Sequence, residues 1–311
     1  MTSIKANFVM AAAGLALATL ASTVGLARSA DSGASQRPPN VPANYVLTPY
    51  GYVAPQDIVQ LRKGETVAMR QARRRASGNP GECSSPRFST TGVKLDPTLR
   101  PGKLAIKANY VAEASVDLPK DYQEIQTTTD IIVPPAPTRR YNQVLHLITG
   151  LHDTQDLYGP MVQTVVGWRT NSQASEWTAS TWFLSPYDEC HYISELVDLK
   201  PGQKVRQVIE ARRNNGQPEI QASILDLEAN TTLLQTTFKP QSFDPDQVVN
   251  IGMEAYRASK CDLMPAGGEI IYPHISTFAT TPAGKTDISN LITVLPALDH
   301  ACDVVLTLSD E

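Results

Sequence analysis

The chain is short of aromatic side chains. They make up 6% of its 311 residues, and only three residues are tryptophan. Cysteine is scarce too: there are four, and no two stand in a C-x-x-C pair, which sets aside a zinc-ribbon or thioredoxin-type motif. Positive charge is not in excess. With 27 basic and 31 acidic residues the net charge is −4, so there is no broad basic field for nucleic acid. Glycine (18) and proline (23) are at ordinary levels, which excludes collagen-like and low-complexity chains. Familiar catalytic signatures are missing: there is no G-x-S-x-G elbow, P-loop, G-x-G-x-x-G or H-E-x-x-H. The five histidines, His146, His152, His191, His274 and His300, never fall at metal-ligand spacing, so no metal or cofactor is expected. His152 beside Asp153 reads as a solvent-facing loop residue, and His191 beside Cys190 as structural.

Long apolar runs are absent but for one. Phe8 to Leu26 is rich in Ala and Leu, follows Lys5, and ends in Ala27-Arg28-Ser29-Ala30. A charged start, an apolar core and an A-x-A-like end predict a signal peptide over 1–30 and a secreted or extracytoplasmic protein, with no membrane contact after removal. A retained anchor is the alternative, since the run is about as long as a spanning helix. Cysteine use suits export. Cys190 with Cys261 is the favoured disulfide, because both sit near strand ends, and Cys83 with Cys302 would tie the N-terminal segment to the C-terminus. Buried free thiols are the alternative.

Beyond the leader the texture changes twice. Residues 31–43 are small, polar and proline-rich and read as a linker. Residues 44–103 form an N-terminal segment with a basic cluster: Arg62, Lys63, Arg70, Arg73, Arg74 and Arg75. After residue 75 the chain holds 18 basic and 28 acidic residues, a net of −10. A solvated basic helix is one reading of the cluster. A basic pro-segment or cap on an acidic body, with Arg73-Arg74-Arg75 open to proteases, is the other.

From residue 104 to 311 the pattern is strands. Leu104–Ala112, Gln143–Thr149, Met161–Trp168 and Trp177–Leu184 are apolar or alternate in period two. Lys204–Ala211, Glu219–Leu227, Thr231–Phe238, Gln247–Tyr256, Glu269–Phe278 and Val304–Leu308 follow at short intervals. Asn214-Asn215-Gly216 between two of them signals a hairpin. Many short strands without helical periodicity predict an all-β, antiparallel two-sheet β-sandwich with an N-terminal extension, as a single monomeric domain.

Two of these strands carry a polar residue at mid-length. Gln163 lies in Val162-Gln163-Thr164-Val165-Val166, and Glu254 shares a face with Gly252 and Tyr256. A carboxylate in a half-buried sheet must be paired, hydrogen-bonded or reached by solvent. A solvent-facing Glu254 on an outer sheet face is the plain alternative.

The order of these features resembles the glutamic peptidases of the eqolisin type and, more distantly, neprosin-like proteins. The Gln163 strand, the Trp-rich run Trp177-Thr178-Ala179-Ser180-Thr181-Trp182-Phe183, the turn Leu199-Lys200-Pro201-Gly202-Gln203 and Met253-Glu254-Ala255-Tyr256 carry the resemblance, over residues 140–280. Gln203 stands where that family has Asp, and Glu176 precedes Trp177 in place of a W-Y-E-W pattern. The resemblance implies a concanavalin-like jelly roll. It also implies that Glu254 activates a water for attack on a peptide carbonyl, while the Gln163 amide holds that water and the oxyanion, at acid pH. On this reading the two converge from neighbouring inner strands, with Trp168, Trp177, Trp182 and Tyr256 lining the substrate groove. The other hypothesis is a binding module whose aromatic residues stack on a polysaccharide or hold an extended peptide. Asn230-Thr231-Thr232 is a glycosylation sequon, which matters only in a eukaryotic host.

Overall fold

Side chains two apart on a strand share a face, so period-two segments between turn residues build sheets. The structure, a computed structural model, describes residues 38–48, 51–62, 65–77, 83, 85–88, 94, 110–140, 143–153, 160–168, 176–184, 190–214, 217–239, 247–256, 258, 260–295 and 305–308. The expected leader and most of the linker, His300 and Cys302 lie outside them.

The N-terminal segment holds β1 (Val46–Thr48), β2 (Gly51–Val53), β3 (Ile58–Gln60) and helix α1 (Val67–Ser77). Then come β4 (Tyr110–Asp117), β5 (Glu124–Ile132), β6 (Val144–Asp153), β7 (Met161–Trp168), β8 (Trp177–Leu184), β9 (His191–Ile193) and β10 (Val197–Leu199). The rest are β11 (Lys204–Asn214), β12 (Gln217–Asp226), β13 (Thr231–Phe238), β14 (Gln247–Tyr256), β15 (Glu269–Tyr272), β16 (His274–Thr281), β17 (Gly284–Asp287), β18 (Thr293–Leu295) and β19 (Val305–Leu308). The larger sheet runs β18-β4-β14-β6-β7-β8-β9-β3, with β10 also paired to β8, and the smaller runs β13-β12-β11-β5-β16-β17. The architecture is the expected all-β two-sheet sandwich. The signalled hairpin is present: Asn214 pairs with Gln217 across the β11–β12 turn.

The N-terminal extension is built into the larger sheet. β3 lies parallel to β9 at its edge, and Tyr52 and Phe88 exchange backbone bonds of 2.7 and 3.1 Å. Thr66 caps α1 by accepting from the Met69 N–H at 3.2 Å. Arg73 of the basic cluster pairs at 3.1 Å with Glu65 of the same segment. The disulfide runs from Cys83 to Cys190, with Cα atoms 5.0 Å apart, and so staples the extension to the start of β9. That corrects both expected pairings, because the chain returns β3 and Cys83 to the β9 edge. Cys261 is disulfide-bonded as well.

The faces packed together are apolar with a polar seam. Leu145, Leu147, Val162, Val166, Trp168, Trp177, Met253 and Ala255 of the large sheet meet Ile125, Val205, Ile209, Ile220 and Ile224 of the small one. Gln207 of β11, fully buried, crosses the seam. Its amide donates to Thr164 O (3.0 Å) and Leu147 O (3.3 Å), and its Oε1 accepts from Thr149 Oγ1 (3.1 Å). Thr181 donates to Thr236 across the same gap at 2.8 Å. Gln207→Leu keeps the volume but strips these partners, and should lower unfolding stability by about 1–3 kcal/mol. Urea unfolding of the purified variant checks this, and an unchanged midpoint would refute the role given to Gln207.

Candidate functional site

Strand parity assigns the site to one face. Residues 145, 147, 149 and 151 of β6 point between the sheets, so His146, Ile148, Gly150 and His152 lie on the outer face of the large sheet. Gln163 pairs with Gly150, and Gly150 with Asn250, which puts Gln163, Asn250, Gly252, Glu254 and Tyr256 on that same outer face. It is not a wet surface. Ile148, Met161, Val165, Trp182 and Leu184 form a second buried cluster there, and Gln163 is only 2% exposed. Glu254 and His152 are half-buried among these buried neighbours.

The expected dyad shares a face, but not neighbouring inner strands. β6 runs between β7 and β14, and Gln163 is level with Asn250, four residues along from Glu254. Two strand spacings across and four residues along put the Cα atoms of Gln163 and Glu254 about 16 Å apart. Their partners also lie in opposite directions along the strands. Gln163 Nε2 is 3.2 Å from His152 Nε2, and Asn250 Nδ2 is 3.2 Å from His152 Nδ1. Tyr256 donates to Glu254 Oε2 at 2.6 Å. A shared water is therefore beyond the reach of two hydrogen bonds of about 3 Å each.

Two clusters result. In the first, His152 is held between two amides. A neutral imidazole has one N–H and one bare nitrogen, so one amide gives an N–H and the other turns its oxygen inward. This corrects the loop reading of His152, which is in β6. Gly150 makes the cluster possible. A Cβ there would stand 2.9 Å from Gln163 Cγ and 3.1 Å from His152 Nε2. In the second, Glu254 lies opposite His146 on the adjacent strand. The His146 ring packs edge-on against Trp182 (5.1 Å) and Tyr256 (5.7 Å), and its buried Nε2 has no hydrogen-bond partner. Burial raises the Glu254 pKa, with the Tyr256 bond opposing, while burial lowers His146 and His152 to about 4.

The expected aromatic lining divides. Trp182 and Tyr256 are on the site face, but Trp168 and Trp177 pack against each other at 5.4 Å between the sheets. Parity is the reason: both share a face with Val162 and Val166. Gln203 is distant from the site in register, donating to Asp226 at 2.7 Å beyond the start of β11, and Glu176 pairs with Arg140. Among the described residues no cluster of His, Cys, Asp or Glu is placed to hold a metal, and no helix is long and apolar enough to cross a membrane. His146, His152, Gly150 and Asn250 were missed in sequence. The signal was there: in His146-Leu147-Ile148-Thr149-Gly150-Leu151-His152 every non-apolar outer residue has even parity.

No family model and no curated protein matches the chain. Among solved structures, it is similar to scytalido-glutamic peptidase with a peptide-based transition-state analogue, at 13% identity and a TM-score of 0.40, over 64% of this chain and 93% of that one. It is similar also to SCP-B, a member of the eqolisin family of peptidases in complex with the tripeptide Ala-Ile-His, at 12% identity and a TM-score of 0.38, over 64% and 92%.

Two outcomes follow from this geometry. Gly150→Ala should cost about 1–3 kcal/mol by overpacking and displace Gln163 from His152, read by thermal unfolding and by the His152 ring shifts in NMR. A variant with wild-type stability and unmoved His152 signals would refute the close packing. The His146 pKa lies below its unfolded value of 6.5, so the unfolded chain binds the extra proton between pH 6.5 and about 4. Stability should therefore fall on acidification through that window, by up to about 3 kcal/mol from His146. His146→Phe keeps a ring and should flatten the pH dependence; an unchanged slope would show that His146 is not held neutral.

Proposed function

We propose that the chain is a polypeptide hydrolase of the glutamic type, working on the outer face of the large sheet with Glu254 as its acid–base residue. The observation that carries this is the half-buried Glu254 carboxyl, held at one oxygen by Tyr256 inside an otherwise buried face. The motif resemblance around Gln163 and Glu254 supports it. In the ionised form Glu254 takes a proton from the attacking water, and in the protonated form it returns that proton to the leaving amine. Desolvation favours the protonated form, so the base is lost as pH falls through a value above the ordinary carboxylate range. The acid limb of activity therefore lies above the ordinary carboxylate range, and the folding cost of His146 adds to the loss below it. Gln163 takes a different part from the one the family resemblance implies. An extended chain covers 16 Å in about five residues, so His152, half-buried and held by Gln163 and Asn250, anchors substrate backbone away from the scissile bond.

The register separation of Gln163 and Glu254 favours a second reading: a module that binds extended peptide without turnover. A sugar platform is less suited, because all three tryptophans are fully buried. We place the protein outside the cytoplasm, on the disulfide and the expected leader.

The substitution Glu254→Gln keeps shape and removes the base. Cleavage of an unstructured polypeptide across pH 3–7 should drop by about 10²–10⁴-fold while the fold survives. Gln163→Ala should raise KM more than it lowers kcat. Full cleavage by Glu254→Gln would sink the mechanism. Peptide binding without any cleavage by the wild type would establish the second reading.

A further inference from the structure

A cavity of about 340 Å³ lies away from this face, along the free edge of the small sheet. The consecutive residues Thr232 to Thr237 of β13 line it, so it follows the strand edge rather than one face. Its opposite wall is the stretch before α1, with Leu61, Arg62 and Glu65, and the residues after β9, Ser194 and Glu195. β13 pairs with β12 on one side, and among the described residues no strand pairs with the other. Every second residue of an edge strand turns its N–H and C=O outward. That row of donors and acceptors is matched by another extended backbone.

Exposed edges are usually blunted by lysine, proline, shortness or a bulge. β13 is eight residues, Thr-Thr-Leu-Leu-Gln-Thr-Thr-Phe, without charge or proline. The first lysine after it, Lys239, is engaged with Glu219 at 2.8 Å. The one irregularity, a register shift at Leu233, leaves Leu234–Phe238 in regular pairing. On the inner side the strand is fixed by Leu234, Thr236 and Phe238, which are buried, and by the Thr181–Thr236 bond. The edge is thus held from its inner side, and the facing wall bounds a channel of limited volume, which suits one strand rather than a whole second sheet.

We propose that β13 is a second polypeptide-binding site, which takes one extended segment of a protein chain by β-strand addition in the channel beside Leu61–Glu65. It is separate from Glu254 and stands whether or not the outer face cleaves peptide bonds. The ladder supplies affinity without reading sequence, and Leu233 and Gln235 supply the side-chain contacts.

The test is hydrogen–deuterium exchange on the intact protein. Alternate β13 amides should exchange fast in the free protein, unlike those of β12. A synthetic peptide copying Gln217–Asp226, the strand that already pairs with β13, should slow them in a saturable manner. Gln235 is exposed, so Gln235→Lys leaves the fold intact and should weaken the peptide by about tenfold or more through a charge at the docking edge. Slow β13 amides in the free protein, no protection at millimolar peptide, or equal binding by Gln235→Lys would each overturn the proposal. So would protection that depends on protein concentration alone, since the occupant would then be a second copy of this chain. Loss of hydrolysis in Glu254→Gln leaves all these outcomes unchanged, so the two sites are judged separately.

Discussion

One buried amide ties the two sheets into a single register. Gln207 rises from the small sheet and bonds carbonyls of β6 and β7 that already serve the large sheet's own ladder. A buried amide is stable only with its bonds made, so the sheets cannot slide by a residue without orphaning it. On the reverse side of those two strands stand His146, Gly150, His152 and Gln163. The placement of the outer-face clusters therefore descends from a side chain they never touch.

The outer face is unusual in being buried. Outward residues of a two-layer sandwich ordinarily face water and are polar. Here an apolar group, Ile148, Met161, Val165, Trp182 and Leu184, sits between the two polar clusters. In that setting a carboxyl and two imidazoles are all pushed toward their neutral forms by the same cause, loss of water. For the acid that means a raised pKa and for the bases a lowered one. The two shifts draw Glu254 and His146 toward a common range, across one pair of adjacent strands.

The N-terminal extension joins the larger sheet at its edge. Its strand β3 and the Cys83–Cys190 link fall on the β9 edge, while the Tyr52–Phe88 exchange ties the extension to itself. Arg73 meets Glu65 within the extension itself. The same extension forms the wall of the β13 channel, so it closes one sheet's edge by pairing and lines a cavity beside the other's.

The amino-acid sequence by itself determined many of the longer strands, though not β5, and with them the β11–β12 hairpin, the all-β class and the mid-strand polar residues Gln163 and Glu254, because these depend on neighbours within a few positions. Parity also fixed which residues travel together, such as Glu254 with Gly252 and Tyr256. Parity does not say which face turns inward, and so Trp168 and Trp177 entered the interior while Trp182 stayed outside. Nor does it say which strand lies beside which. β6 came between β7 and β14, and Cys83 met Cys190 rather than Cys302. Those outcomes are set by chain closure and by burial summed over both sheets, interactions between residues far apart in sequence that no local pattern encodes.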